Sequence, residues 1–268
     1  MLVPEVDVNN KVPNFGSLDG RVVLITGGAG HIGSTLRAAF RSVGSAVATV
    51  DVVGTDSEQV DDNGWQHFKV DLTDRESTSA VIDRVIDTFG HLDIIVAAAS
   101  WMGTATTPGW NAPFIDQDEG LWADVIDVGV TATFTLVKHA TPHLLDSGNG
   151  SIILISSIYG FCGPQPEMYR GTDINNIAGY AASKGALGQL GRWLATTLAP
   201  DVRVNTVSPG GVFRDQDPVF VSRYEDRTPL GRMATEDDLI GPVLFLASDL
   251  SSYMTGHDLV VDGGFSAW

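Results

Sequence analysis

Short apolar runs alternate along the chain with longer stretches whose apolar positions recur at helical spacing. This alternation predicts a parallel sheet with helices on both faces. The strand-like runs occupy residues 21–26, 46–51, 67–70, 92–98, 151–156, 203–207 and 257–261. Helices are predicted over 32–43, 75–89, 120–145, 180–198 and 235–247. Two polar stretches, 100–119 and 160–179, follow neither period. Each comes after the C-terminal end of a strand, where ligands bind in open α/β sheets, and loops of that length usually carry function or lack structure. No repeat, low-complexity tract or linker divides the chain. One α/β domain over 1–268 is expected, with an N-terminal extension at 1–19.

The first strand, Arg21-Val-Val-Leu-Ile-Thr26, runs directly into Gly27-Gly-Ala-Gly-His-Ile-Gly33 and then a helical pattern. Glycines there allow a tight turn, a close backbone approach to a pyrophosphate and close packing of helix on strand. The helix N-terminus adds free N–H donors and partial positive charge. The second strand ends at Asp51, eighteen residues beyond Gly33. A carboxylate there accepts hydrogen bonds from both adenosine ribose hydroxyls and repels a 2′-phosphate. Val52, Val53 and Gly54 follow it with no Lys or Arg, so the charge pattern favours NAD over NADP. Asp71, in Val70-Asp-Leu72-Thr-Asp74, is placed to meet the adenine amino group, although helix capping by Asp74 explains part of that string.

Tyr180-Ala-Ala-Ser-Lys184 supplies the candidate chemistry. A free phenol, with a pKa of about 10, trades protons poorly near neutrality. A lysine four residues on lies one helical turn away on the same face, and its charge would lower the tyrosine pKa.

Composition narrows the partners. Sixteen Lys and Arg against thirty-three Asp and Glu give a net charge of −17, which argues against nucleic acid or an anionic membrane surface. The single cysteine, Cys162, excludes an internal disulfide framework and reads as a small buried hydrophobe. No apolar run is expected to reach membrane-spanning length. Pro4, Glu5 and Asp7 stand where a signal peptide would be basic and then apolar, so a cytoplasmic protein is expected.

Taken together these strings resemble the short-chain dehydrogenase/reductase family, in its short single-domain branch. The resemblance rests also on Gly150-Ser-Ile-Ile-Leu-Ile-Ser-Ser157, Val204-Asn-Thr-Val-Ser-Pro-Gly210, Phe245-Leu-Ala-Ser-Asp249, Tyr253-Met-Thr-Gly256 and Val261-Asp-Gly-Gly264. It implies a Rossmann-type doubly wound parallel sheet of about seven strands. It further implies Ser157 hydrogen-bonded to the substrate oxygen, Tyr180 as proton donor and acceptor, and Lys184 tuning Tyr180 and holding the nicotinamide ribose. The cofactor would be lined by Gly27, Gly30, His31, Ile32, Gly33, Asp51, Val52, Asp71, Leu72, Ala98, Ala99, Ser100, Pro209, Gly210, Gly211 and Val212, beside Tyr180 and Lys184. No metal is implied.

The chain also departs from the family. His31 stands at the short branch's middle glycine, and Ala97-Ala-Ala-Ser100 replaces the usual Asn-Asn-Ala-Gly. Gly129, in Val125-Ile-Asp-Val-Gly-Val130, replaces the asparagine that anchors a relay water. Ser157 and Tyr180 are more widely separated than usual, which makes 160–179 an active-site insertion. The whole pattern is similar to a subgroup associated with bacterial surface-sugar biosynthesis. The implied activity is NAD-dependent interconversion of a secondary alcohol and a ketone. The polar insertion, with Asp173, Asn175 and Asn176, suits a polyhydroxylated substrate. The rival is a nucleotide-binding sensor or scaffold with little turnover. A sugar-nucleotide epimerase or dehydratase, prompted by the glycine spacing, would need a substrate domain for which the chain has no room.

Other groupings stay open. His139 and His143 have zinc-ligand spacing but read as a surface or interface pair. Trp101, Trp110, Phe114 and Trp122 could wall a pocket or fill a core, and Arg170 and Arg214 could meet an anionic substrate or solvent. The resemblance implies a homotetramer built on 120–145, 180–198 and the C-terminal tail, with Trp268 buried at a subunit contact.

Overall fold

A computed structural model describes residues 18–103 and 107–268. Most of the expected N-terminal extension, and residues 104–106 of the first polar stretch, lie outside the described residues. Seven parallel strands form one sheet: β1 (Val22–Thr26), β2 (Ala46–Asp51), β3 (Trp65–Lys69), β4 (Ile94–Ala97), β5 (Gly150–Ile155), β6 (Val202–Pro209) and β7 (Asp258–Val261). Their order is β3-β2-β1-β4-β5-β6-β7. The order reverses between β1 and β4, and a crevice opens there beyond the strand C-termini.

The strands read as unbroken apolar runs because both of their faces are covered. Helices α1 (His31–Ser42), α2 (Arg75–Phe89), α3 (Glu119–Ile126), α4 (Ala132–Ser147), α5 (Pro166–Tyr169), α6 (Ala178–Leu198), α7 (Pro218–Arg227) and α8 (Ile240–Ala247) complete the order. On one face Val22, Leu24, Ile95 and Ile152 meet Val81 and Val85 of α2, Leu136 and Ala140 of α4 and Leu194 of α6. On the other, Val23, Ile25, Ile94 and Ile153 meet Leu36 and Phe40 of α1 and Val243 and Leu246 of α8. Each such buried Val, Leu, Ile or Phe side chain contributes about 1.5–3 kcal/mol of transfer free energy.

The structure departs from the sequence-based expectation in four places. The helix predicted over 120–145 is interrupted by a π turn, Asp127–Thr131, where the Ala132 N–H reaches five residues back to the Asp127 carbonyl. Together α3, this turn and α4 span Glu119–Ser147, long and apolar enough to cross a membrane by length and composition, contrary to expectation. Here that apolar face covers the sheet and α2. The stretch 235–247 starts with a 3-10 turn, Glu236–Leu239, closed by a capping box between Thr235 and Asp238, before α8 begins. Helices α5 and α7 were missed, though each begins at a proline, and Asp217 caps α7 by accepting the Val219 N–H at 2.7 Å.

Candidate active site

The strand C-termini open into a cleft of about 730 Å³. At one end the chain leaves β1 through Gly27, whose φ of +71° and whose nearness to Ala99 both demand glycine. A Cβ on Gly27 would lie 2.9 Å from Ala99 Cα, one on Gly28 2.4 Å from Thr49 Cβ, and one on Gly33 2.1 Å from the Gly27 carbonyl oxygen. These glycines let α1 seat against the strands. Gly30 precedes the first residue of α1 and provides no side-chain cap, so first-turn N–H groups remain for a ligand, and Gly30, His31, Ile32 and Gly33 line the cleft.

Asp51 is pinned at the same end. Its carboxylate accepts the Ala29 N–H and the Val53 N–H, each at 3.0 Å. Ala98, Ala99 and Ser100 form the facing wall, and the buried Ser100 Oγ has no hydrogen-bond partner among the described residues. This cradle, with a carboxylate at its rim and an orphan hydroxyl inside, fits a dinucleotide. Three expected contacts do not line the cleft. Val52 is exposed, and Val53 takes its place on the wall. Leu72 is buried in the sheet core. Asp71 turns to Thr73, accepting its N–H at 2.9 Å and its hydroxyl at 2.7 Å.

At the other end the catalytic candidates converge. Ser157 caps the 3-10 turn Ile158–Gly160, its Oγ accepting the Tyr159 N–H at 3.2 Å, and its hydroxyl lies close enough to the Tyr180 phenol to draw that pKa down. The Lys184 ammonium lies 5.5 Å from the Tyr180 ring centre and donates to the Ile155 carbonyl at 2.9 Å. Burial depresses the Lys184 pKa to about 8. The expected lowering of the Tyr180 pKa is not what the protein alone provides. Burial pushes that phenol up, while the Ser157 hydroxyl and the Arg214 charge draw it down.

Pro209, Gly210, Gly211 and Val212 continue the wall beyond β6. The Gly211 N–H donates to Tyr224 Oη of α7 at 2.6 Å, and burial pushes the Tyr224 phenol up to about 12. Gly129 is buried in the π turn. Its carbonyl accepts the Thr133 hydroxyl at 2.8 Å, and a Cβ there would lie 3.7 Å from Ser183 Cβ, in ordinary contact.

Of the four aromatics singled out, Trp110 lines the cleft, with Trp101 edge-on against it at 5.0 Å. Phe114 and Trp122 are exposed. Arg214 lines the cleft and pairs with Glu236 at 3.0 Å, whereas Arg170 pairs with Glu167 away from the wall. Burial pushes the Cys162 thiol up, away from nucleophilic character. Among the described residues no group of three His, Cys, Asp or Glu could hold a metal. Sequence reading missed Tyr159, Tyr169 and Tyr224 as wall residues, since the elements that carry them were not foreseen.

Residues 27–266 match the family model described as enoyl-(acyl carrier protein) reductase. The chain is 34% identical to the sorbose reductase of Schizosaccharomyces pombe, over 93% of this chain and 97% of that one. A crystal structure of a short chain dehydrogenase from Leptospira borgpetersenii with bound NAD+ superposes with a TM-score of 0.82 at 32% identity, covering 94% and 96% of the two chains. A gluconate 5-dehydrogenase from Burkholderia cenocepacia in complex with NADP and tartrate gives 0.80 at 26% identity, covering 94% and 98%.

Burying Lys184 has a measurable consequence. With a folded pKa near 8, below the ordinary lysine value, the native state releases this proton before the unfolded chain does. The unfolded state then binds more protons between pH 8 and 10.5, so stability rises with pH in that window, by about 3 kcal/mol in all. Lys184→Met should abolish that rise in denaturant titrations run from pH 7 to 10. An unchanged slope would show that the ammonium is not desolvated.

Proposed function

Because the chain belongs to the short-chain dehydrogenase/reductase family, we propose that it is an NAD-dependent oxidoreductase interconverting a secondary alcohol and a ketone on a polar, polyhydroxylated small molecule. The observation that carries this reading is the meeting of Ser157, Tyr180 and Lys184 in one cleft whose far end is a glycine cradle rimmed by Asp51. Bound NAD supplies the hydride acceptor for oxidation, and NADH the donor for reduction. Tyr180 Oη takes the hydroxyl proton in one direction and returns it in the other. Ser157 Oγ, beside that phenol, orients the same substrate oxygen. The Lys184 charge favours the phenolate as it develops.

Reprotonation of Tyr180 needs a path to solvent, which the asparagine absent at 129 would ordinarily support. Ser183 Oγ and the main chain of the π turn give the space beside Gly129 polar walls, and a water held there by backbone would serve. The names of the sorbose reductase and the gluconate 5-dehydrogenase support a polyhydroxylated substrate. Cofactor preference rests on Asp51, since one solved relative carries NAD+ and another NADP. The acidic chain with its single cysteine suits the cytoplasm, the compartment proposed here.

Asp51 should favour NAD over NADP by about 2–4 kcal/mol, roughly thirty- to a thousandfold in affinity, because a 2′-phosphate would meet its fixed carboxylate. Titrating both cofactors checks this, and Asp51→Ala should narrow the gap.

Tyr180→Phe should leave NAD binding near normal and lower turnover roughly a hundred- to ten-thousandfold. Turnover close to wild type would remove Tyr180 from the mechanism. A wild-type protein that binds NAD yet turns over no alcohol or ketone would favour a sensor.

Assembly is proposed as a homotetramer. Trp122, Phe134 and Trp193 are exposed on α3, α4 and α6, and Trp268 is 71% exposed in the single chain, its indole donating to the Arg227 carbonyl at 3.1 Å. Solution scattering should give four times the chain mass; a monomeric mass would refute the assembly.

A further inference from the structure

Tyr159, Tyr169 and Asn176 form a polar group in the cleft wall that neither the proton transfer nor the glycine cradle uses. The two phenol oxygens are hydrogen-bonded to each other, with either able to donate. The Asn176 side chain lies close enough to Tyr169 to draw its pKa down. Burial pushes both phenols above their ordinary pKa, so both keep their protons at neutral pH.

Counting hydrogens shows that the group is incomplete. Two phenols bring two O–H groups, and the bond between them uses one. If the second goes to the Asn176 carbonyl oxygen, the Asn176 amide N–H groups are left over. If the amide donates to Tyr169 instead, a phenol O–H is left over. In either arrangement an uncharged donor is left over in the cleft wall beside open lone pairs, which suits a hydroxyl, itself both donor and acceptor.

The group is also held in place from three directions. Arg223 of α7 donates one guanidinium nitrogen to the carbonyls of Glu167 at 2.9 Å, Met168 at 3.3 Å and Arg170 at 2.6 Å, clamping the end of α5 that carries Tyr169. The Tyr169 ring lies 5.4 Å from Phe220 of α7. Gln117 donates to the Asn176 backbone carbonyl at 3.2 Å and accepts the Ala178 N–H at 3.1 Å, fixing the start of α6. Tyr159 follows Ser157 by two residues, in the turn that Ser157 caps. Tyr159 and Tyr169 also lie near enough to Tyr180 to act on its ionisation, or it on theirs.

We propose that Tyr169, with Tyr159 and Asn176, recognises substrate hydroxyl groups on carbons beside the reacting one, and so selects vicinal polyols and their ketoses over simple secondary alcohols. Arg223 is the positioning residue of this site. The inference rests on the alcohol–ketone reading above and assigns its substrate preference to these side chains.

The test compares C4 to C6 alditols with butan-2-ol, using the full-length enzyme and NAD. Tyr169→Phe should lower kcat/KM for the alditols roughly 10- to 100-fold, chiefly through KM, and change that for butan-2-ol less than threefold. Arg223→Met should move the same ratio in the same direction, with partial rescue in Arg223→Lys. Equal losses on both substrate classes, or no loss on the alditols, would overturn the proposal. Should the wild type oxidise neither class, the activity reading fails. Recognition is then judged by titrating the NAD-saturated protein with alditol and following tryptophan fluorescence. Weaker binding in Tyr169→Phe than in wild type sustains the recognition site, and equal binding rejects it.

Discussion

A buried ammonium joins the two halves of the site. Lys184 Nζ donates to the Ile155 carbonyl at 2.9 Å, and Ser156 Oγ of the same strand end donates back to the Lys184 carbonyl at 2.8 Å. These reciprocal bonds fasten α6 to the end of β5. Ser157 follows Ile155 by two residues and Tyr180 precedes Lys184 by one helical turn, so both groups fall into register once the fastening is made. Gly160 permits the approach, since a Cβ there would sit 2.9 Å from the Lys184 carbonyl oxygen. The same burial that makes the ammonium expensive also keeps water away from the charge it would stabilise on Tyr180. On the proposed mechanism, stability is given up at the residue the chemistry would need most, a common trade at active sites.

The cleft divides between a part built on the sheet and a part built on added segments. The dinucleotide half comes from β1, β2, β4 and the start of α1, all anchored in the two large cores. The substrate half hangs on a separate small core of Ile158, Met168, Phe220, Tyr224, Met233 and Phe265. Tyr224 and Phe265 stack there at 4.6 Å with 18° between their planes. Side chains in this small core can change without disturbing the sheet. That is the arrangement by which one fold serves many substrates.

What the sequence disclosed follows the same division. The strands were legible because both faces are covered, which leaves unbroken apolar runs such as Val22–Thr26. Gly27 and Gly33 were legible because only glycine fits where they stand. The Tyr180–Lys184 pair was legible from helical spacing. The π turn at Gly129 was not, because one extra residue per turn leaves the apolar pattern nearly unchanged while shifting the hydrogen bonds. Helices α5 and α7 are short, and their apolar residues face a local cluster, so no long periodicity announced them. The Tyr180 environment was misjudged because spacing places a lysine nearby without showing how much water burial removes. The Tyr159–Tyr169 bond joins residues ten apart through a turn no pattern encodes.

Charge explains how such a site can discriminate. Among the residues lining the cleft, Asp51 stands at the nucleotide end, while Lys184 and Arg214 lie near the reacting phenol, with Arg214 already paired to Glu236. The wall toward the substrate is otherwise made of neutral phenols, amides and apolar rings. A neutral hydrogen bond exchanged with water adds only about 1 kcal/mol to binding, so such a wall attracts weakly. Leaving one of its buried donors unpaired costs about 1–3 kcal/mol, so the same wall rejects a ligand lacking the matching hydroxyl more strongly than it attracts one that has it. Specificity of this kind works by exclusion. It requires that the donor left over by the Tyr159–Tyr169 bond cannot turn away to another partner in the protein, and the clamp of Arg223 on the end of α5 supplies that restraint at Tyr169.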